Sequence, residues 1–254
     1  MGDLQAALEV EFEALRAGPL RPVEVAVVDS GIDATHPDLA GRIASAWWVR
    51  PADSSSMPPK AVRQKVPTNN DAYGHGTGVA GIIAAIAPNA RILDIRVLDE
   101  TNCGTGDILV AGFQWAVEKR VRLVNLSLAC KAKFAQQLHQ LCETAYRRNQ
   151  IVVAAKRNMP LADNGFPAEF SSCVSVDMAK FPSPYILKYR PNNPIEYVAR
   201  GEEVVTTARG GGYTTFTGTS FATPTVTGLC ALLVGAHPDL RPFEVKSLLK
   251  AFAV

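Results

Sequence analysis

The chain has 254 residues, 47% of them hydrophobic and 20% charged, with a net charge of +2. That suits one large globular α/β domain able to bury about 70–75% of its unfolded surface without disulfide staples. The near-balanced charge excludes a general electrostatic attraction to nucleic acid or anionic membrane, and no apolar run reaches the length of a membrane span.

Residues 1–20 read as an amphipathic helix, with Leu4, Leu8, Phe12 and Leu15 on one face. They lack the charged start and apolar core of a signal peptide. Val23–Val28 is a short apolar run before a polar turn, the mark of a buried parallel strand. Residues 51–68, rich in Ser, Pro and Lys, are expected to form a surface loop. Gly76–Ala87 is expected to be a helix, Arg91–Val97 a strand and Asp107–Lys119 a helix. A strand at Val121–Leu128, a helix at Phe134–Arg148 and a strand at Ile151–Ala155 continue the alternation. Shorter strands and turns fill 166–217, and helices at Phe221–Ala236 and Pro242–Ala251 close the chain. Regular alternation predicts a central, mainly parallel sheet flanked by helices in three layers. No internal repeat or linker divides the chain, so residues 1–254 are expected to be one domain, with the 1–20 helix and no pro-domain.

Five cysteines, at 103, 130, 142, 173 and 230, are an odd number without metal-ligand spacing. This fits reduced, mostly buried thiols and a cytoplasmic protein; a mature segment of a secreted precursor is the alternative.

Three segments carry candidate chemistry. Asp29 ends the first strand before a Ser30-Gly31 turn, where α/β sheets place functional groups, although a turn-capping Asp fits as well. His75 sits among glycines in Tyr73-Gly-His-Gly-Thr-Gly-Val-Ala-Gly81, which leaves room for close backbone approach. His36, His139 and His237 lack such a setting and read as turn or surface residues. Ser220, in Phe216-Thr-Gly-Thr-Ser-Phe-Ala-Thr-Pro224, opens an apolar helix, whose first N–H groups and dipole favour negative charge. A plain N-cap is the competing reading. A serine hydroxyl needs a histidine to take its proton, and the histidine needs a carboxylate to fix its tautomer.

These segments, in the order Asp, His, Ser, resemble the subtilisin-like serine protease family (subtilases). Ala87-Pro-Asn-Ala90, Ile95-Arg-Val-Leu98 and Val124-Asn-Leu-Ser-Leu128 extend the likeness over nearly the whole chain. The resemblance implies a three-layer subtilisin-like fold and a serine endopeptidase, with Ser220 as nucleophile, His75 as general base and Asp29 as its orienting carboxylate. It places Asn158 as the oxyanion donor. It also implies an extended peptide or protein substrate between Cys103, Gly104, Thr105 and Gly106 on one side and Ser127, Leu128, Ala129 and Cys130 on the other. Where the family reads Ala-Ala-Ala-Gly-Asn, this chain reads Ala154-Ala-Lys-Arg157-Asn158, which puts Arg157 at a glycine position; a solvent-facing Arg on a tolerant loop and one reaching toward the specificity pocket both fit. That glycine would be strained as Arg if its φ is positive.

Likewise Leu128-Ala129-Cys130 replaces Leu-Gly-Gly, so a narrower first pocket is expected. Lys131, Lys156 and Arg157 nearby raise a preference for an acidic or polar residue before the cut. Gly78 stands where many members have a second histidine. The helix after His75 runs nearly into Pro88 with no calcium-binding interruption, so no metal and no cofactor are expected. Phe166-Pro167 matches a cis bond of the family. The lack of a leader and the reduced cysteines point to an intracellular processing enzyme, without nucleic-acid or membrane partners. The alternative from another class is a catalytically silent subtilisin-like peptide-binding module. A nucleotide-binding reading fails because no G-x-G-x-x-G follows the first strand.

Overall fold

The structure is a computed structural model that describes residues 2–51, 58–158 and 165–253. Helix α1 (Gly2–Ala17) precedes strand β1 (Val23–Asp29), after which come β2 (Ile43–Arg50) and β3 (Lys60–Gln64). Helix α2 (His75–Ile86), β4 (Ala90–Arg96), α3 (Gly106–Glu118), β5 (Leu123–Leu126), α4 (Ala135–Arg147) and β6 (Ile151–Ala155) then alternate. Strands β7 (Val174–Ala179), β8 (Lys188–Tyr189) and β9 (Tyr197–Arg200) complete the main sheet, and β10 (Val204–Thr207) and β11 (Tyr213–Phe216) form a separate hairpin. Helices α5 (Thr219–Ala236) and α6 (Pro242–Ala251) end the fold.

The sheet runs β3-β2-β4-β1-β5-β6-β7-β9-β8. Its seven inner strands are parallel, and the two edge strands, β3 and β8, are antiparallel to their neighbours. The three-layer expectation therefore holds. The period-2 geometry of a strand explains how β1 serves both layers. Val25 and Val27 enter the core shared with α2 and α5, whereas Ala26 and Val28 enter the core shared with α3 and α4. Asp29 continues the face of Val25 and Val27, so it points towards the helices that begin with His75 and Thr219-Ser220. The chain leaves β1 for β2 and β4 on one side and later fills β5 and β6 on the other. The carboxyl end of β1 is thus the point where the strand order reverses, a place where open α/β sheets leave a crevice.

Residues 60–64, expected in a loop, form β3 instead, paired with β2 from Arg50↔Lys60 to Ala46↔Gln64. The reason is tertiary. β2, which the sequence pattern does not announce, leaves an open edge, and backbone pairing there overrides a charged, weakly strand-like sequence. The remaining part of the expected loop at 52–57 lies outside the described residues. His36 is also corrected. It sits at a turn but is buried, with Nδ1 accepting from Asp38 N (3.2 Å) and Nε2 on the Gly212 carbonyl (2.8 Å), which caps a short helical turn at Pro37–Leu39. His139 and His237 are exposed, as expected.

Cys130, Cys142, Cys173 and Cys230 are buried, Cys103 is exposed, and all five are free thiols. Contrary to the expectation that no apolar run reaches the length of a membrane span, one helix among the described residues, α5, has that length and hydropathy, and most of it is buried inside the protein.

Helix α1 is joined to the body through Phe12, whose ring lies 4.9 Å from Phe252 and 6.0 Å from Tyr185 and is fully buried. Leu15 packs against the same core, and the side chains of Leu4 and Leu8 lie outside the described ones. Truncating a buried Phe costs roughly 3–5 kcal/mol through lost transfer energy and the cavity left behind. Phe12→Ala is expected to lower unfolding stability by about 3 kcal/mol in urea titrations. A loss under about 0.5 kcal/mol would show that α1 is not part of the cooperative unit.

Candidate active site

The carboxyl ends of β1, β5 and β6 lie side by side and supply Asp29, Ser127 and Asn158, while the amino ends of α2 and α5 supply His75 and Ser220. The sequence motifs thus converge although they are up to 191 residues apart (220 − 29).

Asp29 is 1% exposed. Its Oδ1 accepts from its neighbour Ser30 N (2.7 Å) and pairs with His75 Nδ1 (2.7 Å). This contact requires β1 and α2 to approach at backbone distance. A Cβ on Gly76 would lie 2.2 Å from the Gly31 carbonyl oxygen, and one on Gly31 would lie 2.2 Å from the Asn70 carbonyl oxygen. Glycine at both positions is therefore a steric requirement.

A second buried carboxylate, Asp71, organises the segment before His75. Its Oδ1 accepts from Gly74 N (2.8 Å), Tyr73 N (3.0 Å) and Ser30 Oγ (2.7 Å). Its Oδ2 accepts from Thr77 N (2.9 Å) and from the Thr77 hydroxyl. Ser30 Oγ in turn accepts from Gly76 N (3.0 Å), so the turn after Asp29 and the start of α2 share one network. Neither Ser30 nor Asp71 was singled out from the sequence; an Asp four residues before His75 was the available signal. Nearby, Asp94 on β4 accepts from Ile32 N (3.2 Å), and burial pushes its carboxyl well above the ordinary range.

Burial opposes charge on the His75 ring, but the adjoining Asp29 carboxylate, its hydrogen bond and the field of Asp71 outweigh that. The imidazole therefore titrates above its ordinary value of 6.5. Phe221 packs on it at 5.0 Å, and Phe216 stacks on Phe221 at 4.4 Å over the space left by Gly78.

Ser220 is not the N-cap of α5. Gly218 is, and Ser220 is the second helical residue, with an N–H that has no intrahelical acceptor. Its hydroxyl donates to the Ser127 carbonyl (2.9 Å) rather than to His75, although both line one cleft of about 580 Å³. Such bonds are commonly misaligned before substrate binds. Pro224 explains how the serine is fixed. It has no N–H to bond the carbonyl four residues earlier, which is that of Ser220, and Ser127 Oγ donates to that carbonyl instead (2.8 Å). Asn125 Nδ2 holds Ser127 Oγ (2.9 Å), and Thr227 Oγ1 holds Asn125 Oδ1 (2.8 Å).

Asn158 lies beside Ser220. Its Oδ1 accepts from Thr219 N (3.2 Å), which turns its amide nitrogen towards Gly218 and the start of α5. Thr219 was also unforeseen. Lys156, whose carbonyl accepts from Thr219 Oγ1 (2.6 Å), has its amine on Asp177 (3.1 Å). Arg157 is not among the described residues with positive φ, so its backbone is unstrained; its Nη2 donates to the Cys130 carbonyl (2.5 Å).

Cys103, Gly104, Thr105 and Gly106 line one wall of the cleft and Ser127, Leu128, Ala129 and Cys130 the other. Burial, partly countered by Arg157, pushes the Cys130 thiol up to about 11, which makes it a poor nucleophile at neutral pH. The Phe166-Pro167 bond is cis, as expected. Helix α2 stops at Ile86, two residues before Pro88, and among the described residues no three His, Cys, Asp or Glu side chains converge as metal ligands.

A histidine oriented by a buried carboxylate, a serine at a helix start and an amide beside it form an arrangement suited to acyl transfer. The model of the subtilase family matches residues 21–253. An intracellular serine protease of Paenibacillus polymyxa is 34% identical over 227 residues, covering 84% of this chain and 67% of that protein. Subtilisin E of Bacillus subtilis (strain 168) is 29% identical over 244 residues, covering 91% of this chain and 60% of that one. Among solved structures, a cold adapted subtilisin-like serine proteinase has a TM-score of 0.71 and 26% identity, covering 91% of this chain and 82% of its own. Sphericase, at 22% identity, shares the fold with a TM-score of 0.73 over 94% of this chain and 88% of its own. With its three motifs brought together in one cleft, this chain belongs to the subtilase family of serine proteases.

Proposed function

We propose that the chain is a serine endopeptidase that cuts through an acyl-enzyme on Ser220 and matures peptide or protein precursors in the cytoplasm. The observation that carries the reading is the 2.7 Å contact between Asp29 and His75 Nδ1. With a carboxylate on Nδ1, the ring keeps its proton there and offers Nε2 as the base.

Ser220 Oγ attacks the scissile carbonyl while His75 Nε2 takes its proton. The oxyanion is met by Ser220 N–H and the Asn158 amide. Collapse expels the amine, protonated by His75, and water repeats the sequence to free Ser220. The substrate lies extended between the 103–106 and 127–130 walls, using main-chain bonds for affinity. The cytoplasmic assignment draws support from a relative named as intracellular and from five free cysteines, four of them buried.

A fluorophosphonate probe tests the activity directly. Wild-type protein is expected to form an adduct on Ser220, seen by mass spectrometry, which disappears in Ser220→Ala and falls at least tenfold in His75→Ala. A folded wild-type protein without an adduct would instead support the silent peptide-binding module.

The raised His75 pKa sets the acid limb of activity. The base must be neutral, so kcat/KM is expected to rise with pH through a midpoint above 6.5. Asp71→Asn removes a negative charge that favours the imidazolium, so it is expected to move that midpoint down. An upward move would contradict the assignment of the field.

A further inference from the structure

Two side chains replace glycines of the family pattern, Ala129 and Arg157, and they meet at one place. A Cβ on Gly165 would lie 2.9 Å from Ala129 Cβ and 3.0 Å from Arg157 Cβ, so those two atoms stand no more than about 6 Å apart. A side chain passing between two apolar walls needs about 4 Å to each, or roughly 8 Å in all. Nothing passes there.

Arg157 then runs on past Gly165, with Nε 3.4 Å from the same Cβ position, and ends on the Cys130 carbonyl. Its side chain therefore spans from the end of β6 to the opposite wall. That wall cannot swing outward freely, because Cys130 N donates to the Phe166 carbonyl (2.8 Å) in an antiparallel bridge. Gly165 cannot gain a side chain to adjust the fit either, since its φ is +77°.

Ala129 and Arg157 line the open pocket beside Ser220 and Asn158. Because this pocket opens beside Ser220 and Asn158, it is placed to take the side chain of the residue before the scissile bond. Lys156 also lines it, with its amine paired to Asp177.

We propose that Arg157 and Ala129 together truncate this pocket, so that the enzyme cleaves after residues with small side chains, namely glycine, alanine or serine. The inference rests on the peptidase reading above. It replaces the acidic or polar preference that the cationic residues suggested from sequence.

The test uses peptidyl diphenyl phosphonates that differ only in the residue before the phosphorus, carrying an alanine, phenylalanine or glutamate side chain. In wild-type protein the alanine probe is expected to modify Ser220 at least tenfold faster than the other two. In Ala129→Gly/Arg157→Gly the phenylalanine probe should become the fastest, and Ala129→Gly alone should narrow the ratio. If the double variant does not fold, Arg157→Ser read by the same ratio takes its place. A wild-type protein that reacts with the phenylalanine or glutamate probe as fast as with alanine overturns the proposal. So does a ratio that the substitutions leave unchanged, or labelling by none of the three while the simple fluorophosphonate still marks Ser220. Failure of the fluorophosphonate itself would remove the peptidase reading, and this inference with it.

Discussion

A carboxylate that is 1% exposed has given up nearly all its water, and the surrounding protein must supply the interactions that water would have made. For Asp29 these come from Ser30 N and His75 Nδ1, both at 2.7 Å on Oδ1, while Oδ2 has no hydrogen-bond partner among the described residues. Such contacts tolerate little displacement, so the end of β1 and the start of α2 have to be locked together. Much of the local sequence follows from that demand. Gly31 and Gly76 allow the backbones to approach, Ser30 bridges them, and Asp71 gathers the N–H groups ahead of His75.

The serine side is held by different means that lead to the same rigidity. A proline within α5 leaves the Ser220 carbonyl without a helical donor, and Ser127 from the end of β5 supplies one. Behind Ser127, Asn125 and Thr227 tie the sheet to α5, and Thr219 ties Asn158 to the helix start. Each reacting group therefore sits on a strand end or a helix start whose other end is anchored in one of the two cores. The site consequently inherits the rigidity of the sheet rather than that of a loop.

The parts of this design that could be read from sequence are those encoded locally. β1 is rich in valine, and each of the three motifs combines its reactive residue with the glycines or threonines its backbone requires. Their order along the chain, together with the intervening segments, was enough to indicate the fold. What escaped notice depends on partners distant in sequence. β3 is a strand because β2 offers it an edge, and β2 itself alternates too weakly to be recognised. His36 is buried because the Gly212 turn, 176 residues later, folds over it. Ala129 and Arg157 each look like a mild departure from the pattern, and only the structure brings both against Gly165.

The proposed role of His75 as a base requires the Asp29–His75 contact and the tautomer it imposes. Nitrogen NMR of ¹⁵N-histidine-labelled protein, recorded well above the His75 midpoint, reads that tautomer directly. A protonated Nδ1 and an unprotonated Nε2 are expected for His75 in wild-type protein, with the preference lost in Asp29→Asn. A wild-type ring carrying its proton on Nε2, or an unchanged spectrum in the variant, would contradict that role.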